Sequence, residues 1–472
     1  MSMMSMRMIA ALVSLPFLFG IAMLGCKPHH ATFERISENG FDAEDNERDW
    51  NDYPQSTLFF TPDGAKDGHL YVGTSCGINE LIAAAGGLLG EDTGERPPEI
   101  RRYRPDLGPM AWERVLDYRD FEDGPNFTAT GFRKMAQYRS ESDGVKRLYA
   151  ATFGAEPTIW RTETGEPGSW ERFYSITDAR GSIRGMAEHN GLLYLAVAND
   201  ATAGGAVLTE PGRVLATDGE TVWPVIEDGF GNPDNGAVMS LISYGDWLYA
   251  GTANNKTGFE IWKLEGPGKQ GPVKIVSDGG TDPRNQCAIT PYVYRGDLYW
   301  GSMIFMGMYV KGCVLLRINT NDTWDVIVGP GGLSGFDAGF NNRNNAYLWS
   351  LVEHNGWLYA GTADFTSVLQ GVVDNLDDFF ALAVRRLGER AAQELLDAKR
   401  GPGLVGVVTQ GGADLWRSQD GVHWTPVFRN GLGDTYNFGV RTLTSVDGVL
   451  YLGMANLWDG LEMWRTANPD SN

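Results

Sequence analysis

The chain has 472 residues, 42% hydrophobic and 11% aromatic, with 61 glycines and 22 prolines; this suits a large core of short strands joined by tight turns and argues against a helical protein. A formal net charge of −21 repels phosphate backbones and excludes nucleic acid as an expected partner. No His-Glu-x-x-His, Gly-x-Ser-x-Gly or P-loop occurs, so the common metalloprotease, serine-hydrolase and nucleotide-binding signatures are missing.

In chain order the first element is an export signal over residues 1–26: Arg7, an apolar run from Met8 to Leu24, then Gly25 and Cys26. The run is short for a bilayer span. Met23-Leu24-Gly25-Cys26 resembles a lipobox, with methionine where leucine is commonest. That resemblance implies lipid attachment at Cys26 and an extracytoplasmic protein of a bacterial envelope, touching the membrane only through this anchor. Without lipidation the chain would be secreted. Of the remaining cysteines, Cys76, Cys287 and Cys313 leave two arrangements open, one disulfide plus a free thiol or no disulfide.

Residues 31–472 read as one repetitive domain. A hexapeptide recurs as His69-Leu-Tyr-Val-Gly-Thr74, Arg147-Leu-Tyr-Ala-Ala-Thr152, Leu192-Leu-Tyr-Leu-Ala-Val197, Trp247-Leu-Tyr-Ala-Gly-Thr252, Asp297-Leu-Tyr-Trp-Gly-Ser302, Trp357-Leu-Tyr-Ala-Gly-Thr362 and Val449-Leu-Tyr-Leu-Gly-Met454. Its tyrosines are spaced by 78, 45, 55, 50, 60 and 92 residues, against about 40–50 for a four-stranded propeller blade. An alternating strand A, such as Val238–Asp246, precedes each hexapeptide, which is strand B. Strand C follows a loop, as in Phe259-Glu-Ile-Trp262, Asp414-Leu-Trp-Arg417 and Leu461-Glu-Met-Trp-Arg465. Strand D carries an aromatic ahead of an aliphatic, as in Trp112-Glu-Arg-Val115 and Trp424-Thr-Pro-Val427.

The two long intervals place insertions at residues 76–97 and 365–412, both in B to C loops, which open on the same face as the D to A turns. The second has helical spacing, with Asp374 or Asn375 as cap and Leu376, Phe379, Phe380, Ala383, Val384 and Leu387 on one stripe. This helix is expected to cover the apolar Met303–Tyr309 loop. The seventh unit lacks strand D, and Phe33-Glu-Arg-Ile36 has the strand D pattern. The expected fold is therefore an all-β, seven-bladed β-propeller with a 3+1 closure by the N-terminal strand and a helical insertion in blade six.

Ser418-Gln-Asp-Gly-Val-His-Trp424, and Thr217-Asp-Gly219 ahead of Trp223, resemble the Asp-box (BNR) turn of sialidase-type propellers. The whole unit is similar to uncharacterised bacterial secreted seven-bladed propellers with Leu-Tyr-Ala-Gly-Thr and Glu-Ile-Trp-Arg repeats. The resemblance implies architecture and no activity. A sialidase site would need six blades and a nucleophilic tyrosine pair, which are not found.

The repeats supply an internal comparison in which what recurs is scaffold. Asn126, Asn235, Asn285, Asn345 and Asn437 each enter strand A and are expected to bond the backbone of the D to A turn. Departures mark function. Arg184 and Arg441 stand where other units have Met239 and Trp349, facing the central channel, and one B to C position holds Asn199, Asn254, Asn456, Asp364 or Cys76. Arg184, Asn199, Asn254, Trp349, Asp364, Arg441 and Asn456 are the candidate ligand-binding residues, suited to a polar ligand such as a carbohydrate or another envelope component.

None of His29, His30, His69, His189, His354 and His423 belongs to the face that carries the insertions, so no catalytic histidine or metal site is expected. The reading is a non-catalytic binding module. Its alternatives are a polysaccharide-active hydrolase or lyase using Asp364, Arg184 and Arg441, and a calcium-stabilised structural propeller using Asp234 and Asp282.

Overall fold

A computed structural model describes residues 32–41, 51–75, 97–117, 129–154, 156–177, 181–198, 210–264, 271–304, 311–367 and 411–467. The export signal with Cys26, Cys76, Asn126, Asn199 and the expected insertion helix lie outside the described residues. Of the 365–412 insertion, Phe365, Thr366 and Ser367, which are helical, and Gly411 and Gly412, which are not, are described. Among the described residues no helix is long and apolar enough to cross a membrane.

Consecutive strands pair antiparallel in groups of four. The first group is β2 (Tyr53–Phe60), β3 (His69–Ser75), β4 (Glu99–Tyr103) and β5 (Trp112–Asp117). The next is β6 (Ala129–Arg139), β7 (Lys146–Gly154), β8 (Thr158–Thr162) and β9 (Glu171–Ser175), followed by β10 (Gly181–His189), β11 (Leu192–Ala198), β12 (Arg213–Thr217) and β13 (Val222–Ile226). Then come β14 (Ala237–Tyr244), β15 (Trp247–Ala253), β16 (Ile261–Leu264) and β17 (Val273–Val276). They are followed by β18 (Cys287–Tyr294), β19 (Asp297–Met303), β20 (Leu315–Ile318) and β21 (Trp324–Val328). After them lie β22 (Asn345–His354), β23 (Trp357–Asp364), β24 (Leu415–Ser418) and β25 (Trp424–Phe428). In the last group β26 (Gly439–Val446), β27 (Val449–Ala455) and β28 (Glu462–Thr466) are joined by β1 (Phe33–Arg35), which pairs with β28 so that Phe33 faces Thr466 and Arg35 faces Trp464.

First strands of successive groups lie side by side: β2 on β6, β6 on β10, β10 on β14, β14 on β18, β18 on β22, β22 on β26, and β26 again on β2. The fold is an all-β propeller of antiparallel sheets around a central axis.

The hexapeptide builds this packing residue by residue. Its leucines, Leu70 through Leu450, are buried between neighbouring sheets. Its glycines mark the closest approaches: a Cβ on Gly251 would stand 2.6 Å from the Ala288 carbonyl oxygen, and one on Gly301 2.6 Å from Leu348 Cδ2. Its threonine pins the start of strand C, since Oγ of Thr74, Thr152, Thr252, Ser302 and Thr362 accepts the backbone N–H of Glu99, Thr158, Glu260, Val314 and Asp414 at 2.8–3.0 Å.

The Glu-x-Trp pattern is a second lock. Glu260 Oε2 accepts from Trp262 Nε1 at 2.9 Å and Asn235 Nδ2 at 2.7 Å, and Glu462 Oε2 accepts from Trp464 Nε1 and Asn437 Nδ2 at the same distances. The asparagine Nδ2 groups also donate to the carbonyls of Gly229, Gly279, Gly339 and Gly431 at 2.8–3.0 Å, the turn-bonding role expected for Asn235, Asn285, Asn345 and Asn437. In the turns between third and fourth strands, Asp218 Oδ1 accepts the N–H groups of Glu220 and Thr221, and Asp420 Oδ1 those of Val422 and His423.

Gly251→Ala is expected to cost about 1–3 kcal/mol by overpacking, read as a lowered urea midpoint. Cys313 is fully buried, and burial pushes its thiol up to about 12. A thiol reagent should therefore leave Cys313 unmodified at neutral pH until the chain unfolds.

Candidate functional site

Pairing between first and second strands slips at an equivalent point in every group, and β6 and β22 slip a second time nearer their starts. The residue skipped at the shared point is Gln55 in β2, Arg133 in β6, Arg184 in β10 and Arg441 in β26. In β14, β18 and β22 it is Met239, Ile289 and Trp349. A bulge leaves one residue out of the ladder and re-aims its side chain. All of these residues line a central cavity of about 650 Å³. Following the order of the strands, Arg441, Gln55, Arg133 and Arg184 form a continuous polar arc, while Met239, Ile289 and Trp349 complete the ring with an apolar one.

Arg441 is oriented from two sides. Its Nη2 donates to Gln55 Oε1 at 2.9 Å, Gln55 Nε2 donates in turn to Ser75 Oγ at 2.9 Å, and the guanidinium lies 5.0 Å from the centre of the Trp349 ring. Trp349 is held edge-on by Tyr53 and Tyr347 and tilted against Phe438, with ring centres 5.3–6.1 Å apart. The Arg133 guanidinium sits 3.9 Å over the Phe153 ring.

In four sheets the residue after the bulge is a latch to the next sheet. Ser56 Oγ donates to the Phe132 carbonyl, Ser240 Oγ to Ala288, Thr290 Oγ1 to Leu348 and Ser350 Oγ to Val440, at 2.8–2.9 Å. In β6 the equivalent residue is Lys134, in β10 it is Gly185, and in β26 it is Thr442, whose Oγ1 has no hydrogen-bond partner among the described residues.

Of the candidates expected from sequence, Arg184, Trp349 and Arg441 are brought together in the cavity. Asn254, Asp364 and Asn456 are not. Each is fully or almost fully buried and engaged by its own loop: Asn254 Oδ1 accepts from the N–H groups of Lys256 and Thr257, Asn456 Oδ1 from those of Trp458 and Asp459, and Asp364 Oδ1 from that of Thr366. Asn456 Nδ2 donates to Asp434 Oδ2 at 3.1 Å, whereas Asn342 Nδ2 donates to Asp364 Oδ2 at 2.9 Å, the same bond with donor and acceptor exchanged. Burial raises the pKa of the Asp364 carboxyl, against the Thr366 and Asn342 hydrogen bonds that lower it.

The carboxylates considered for calcium carry cations from the protein itself: Asp234 meets Lys256 Nζ at 2.5 Å and Asp282 meets Arg284 Nη2 at 2.6 Å. His189 and His354 bond Ser243 and Ser445 at 2.8 and 3.0 Å, and His423 bonds Asp420 at 2.6 Å. Gln55, Arg133 and Lys134 are cavity residues that the repeat comparison does not single out. In the later groups the bulged residue stands ten positions before the hexapeptide tyrosine, but the β2–β3 and β6–β7 turns are longer and displace it.

No family model matches the sequence, and no curated protein matches it. Solved structures similar to the chain include one in the mitotic checkpoint complex, at 9% identity over 98% of this chain and 100% of that one, with a TM-score of 0.47. The WD40 repeats of RRP9 align at 9% identity over 92% of this chain and 99% of theirs, TM-score 0.46. A structural-genomics protein of unknown function from Bacteroides thetaiotaomicron aligns at 12% identity over 70% and 72%, TM-score 0.36. At these scores the propeller architecture rests on the strand pairings, and the likenesses add nothing about function.

Asp364→Asn is expected to set two amide donors against each other and lower stability by about 1 kcal/mol. Adding Asn342→Asp recreates the Asp434–Asn456 arrangement and should restore the urea midpoint, a coupling that a double-mutant cycle measures.

Proposed function

We propose that this protein is a lipid-anchored, extracytoplasmic binding propeller whose central cavity takes a polar ligand, a carbohydrate or another envelope component. Seven blades form the wheel, the N-terminal strand supplies the outermost strand of the seventh in a 3+1 closure, and residues 365–412 form a helical insertion in blade six. The pairing of β1 with β28 supports the closure, and the Leu-Gly-Cys end of the apolar leader supports the anchor at Cys26. The observation that carries the binding reading is the bulge ring. Around it most sheets repeat glycine, threonine and asparagine in the same roles, while the bulged position varies from arginine and glutamine to methionine, isoleucine and tryptophan, all lining one cavity.

Binding is favoured over catalysis because Asp364, the acid of the hydrolase or lyase reading, is spent on Asn342 and Thr366 away from the cavity. The ion pairs of Asp234 and Asp282 likewise disfavour the calcium reading.

A glycan array probed with the purified protein should show retention that Trp349→Ala and Arg184→Ala abolish. Release of reducing ends from the retained glycans would overturn the non-catalytic reading. In cells, the protein should fractionate with membranes, and Cys26→Ser should move it to the soluble fraction; unchanged fractionation would refute the lipid anchor.

A further inference from the structure

Arg133, Lys134, Arg184 and Arg441 line the cavity, and the carboxylate among its described lining residues is Glu188, exposed near the far end of β10. A chain with a net charge of −21 has thus gathered positive charge at its centre. Lys134 is the clearest departure from the repeat. Four other sheets place serine or threonine at its position and use the hydroxyl to hold the next sheet. The lysine makes no such bond, and among the described residues no oxygen accepts from its ammonium. Burial, and next the nearby Arg441 charge, push its pKa below the usual lysine range. Both cations line the same cavity, where their repulsion is stronger than in bulk water and a bound anion would lower it.

We propose that Lys134 and Arg441 receive the carboxylate of a small-molecule ligand. This inference rests on the central cavity being the binding site and names the chemistry of what enters it. Arg441, whose Nε and Nη2 both donate to Gln55 Oε1 and whose guanidinium lies against Trp349, supplies a fixed positive charge to a carboxylate, and Lys134 supplies a second cation on the same cavity wall. The rest of the ligand faces Met239, Ile289 and Trp349, an apolar wall that suits the face of a sugar ring or a hydrocarbon body. A cavity of about 650 Å³ admits a ligand of one or a few rings. The carboxylate therefore belongs either to a uronic acid or to an apolar acid.

The test is calorimetric titration of the full chain with di- and trigalacturonate, the matching neutral galactose oligosaccharides, and phenylacetate, on wild type, Lys134→Ser and Trp349→Ala. Lys134→Ser installs the hydroxyl used by the other sheets, so thermal stability should hold or rise. Carboxylate affinity in that variant should fall at least about tenfold, and wild-type affinity should weaken with added salt. Galacturonate binding identifies a uronic acid, and phenylacetate binding an apolar acid. Neutral oligosaccharides binding as tightly as acidic ones, with loss in Trp349→Ala but no change in Lys134→Ser, would overturn the carboxylate inference and leave the cavity as the site. Carboxylate binding untouched by either substitution would overturn the cavity reading together with the inference. If no carboxylate of the panel binds the wild type, the inference is overturned.

Discussion

Every first strand carries a surplus residue at one shared point that its partner cannot pair, and the position of that residue governs the rest of the molecule. The bulge turns one side chain out of the ladder and toward the axis, and its successor then stands where a hydroxyl can reach the neighbouring sheet. Lining and latch are therefore coupled: the same local slip that creates a cavity wall also fastens the sheets that enclose it. Because bulges fix register as well as direction, the ring of side chains is placed by backbone pairing rather than by flexible loops, which suits a site that must be preorganised.

Scaffold and site make different demands on sequence. The hexapeptide is constrained from all sides: leucine fills the space between sheets, glycine permits a 2.6 Å approach, and threonine holds the next strand by its N–H. Such positions repeat because each has one physical solution. The bulged position is constrained only in direction, so it is free to carry arginine in one sheet and isoleucine in another.

That difference explains how much could be read in advance. Strand identity, the turn-bonding asparagines and the placement of Arg184, Trp349 and Arg441 follow from comparing repeats with fixed spacing. Gln55, Arg133 and Lys134 escaped because the β2–β3 and β6–β7 turns are longer, so counting back from Tyr71 and Tyr149 lands on the wrong residue. Asn254, Asp364 and Asn456 were drawn in for the opposite reason. Asn342 with Asp364 and Asp434 with Asn456 are one hydrogen bond written in two orders, and sequence alone presents an exchange of partners as a difference in chemistry.

The hydroxyl latches are not distributed evenly. Two successive junctions, from β6 to β10 and from β10 to β14, have lysine and glycine where others have serine or threonine. Those junctions keep backbone pairing, Gly181 with Gly154 and Ala198 with Ala237, but lack the inner fastening. The β26 to β2 junction also goes without the latch, since Thr442 Oγ1 has no partner among the described residues, but the longest unlatched run is β6 to β14, and it borders Lys134. Thermal breathing should concentrate there, and a guest held beside the lysine would act as a removable rivet across that seam.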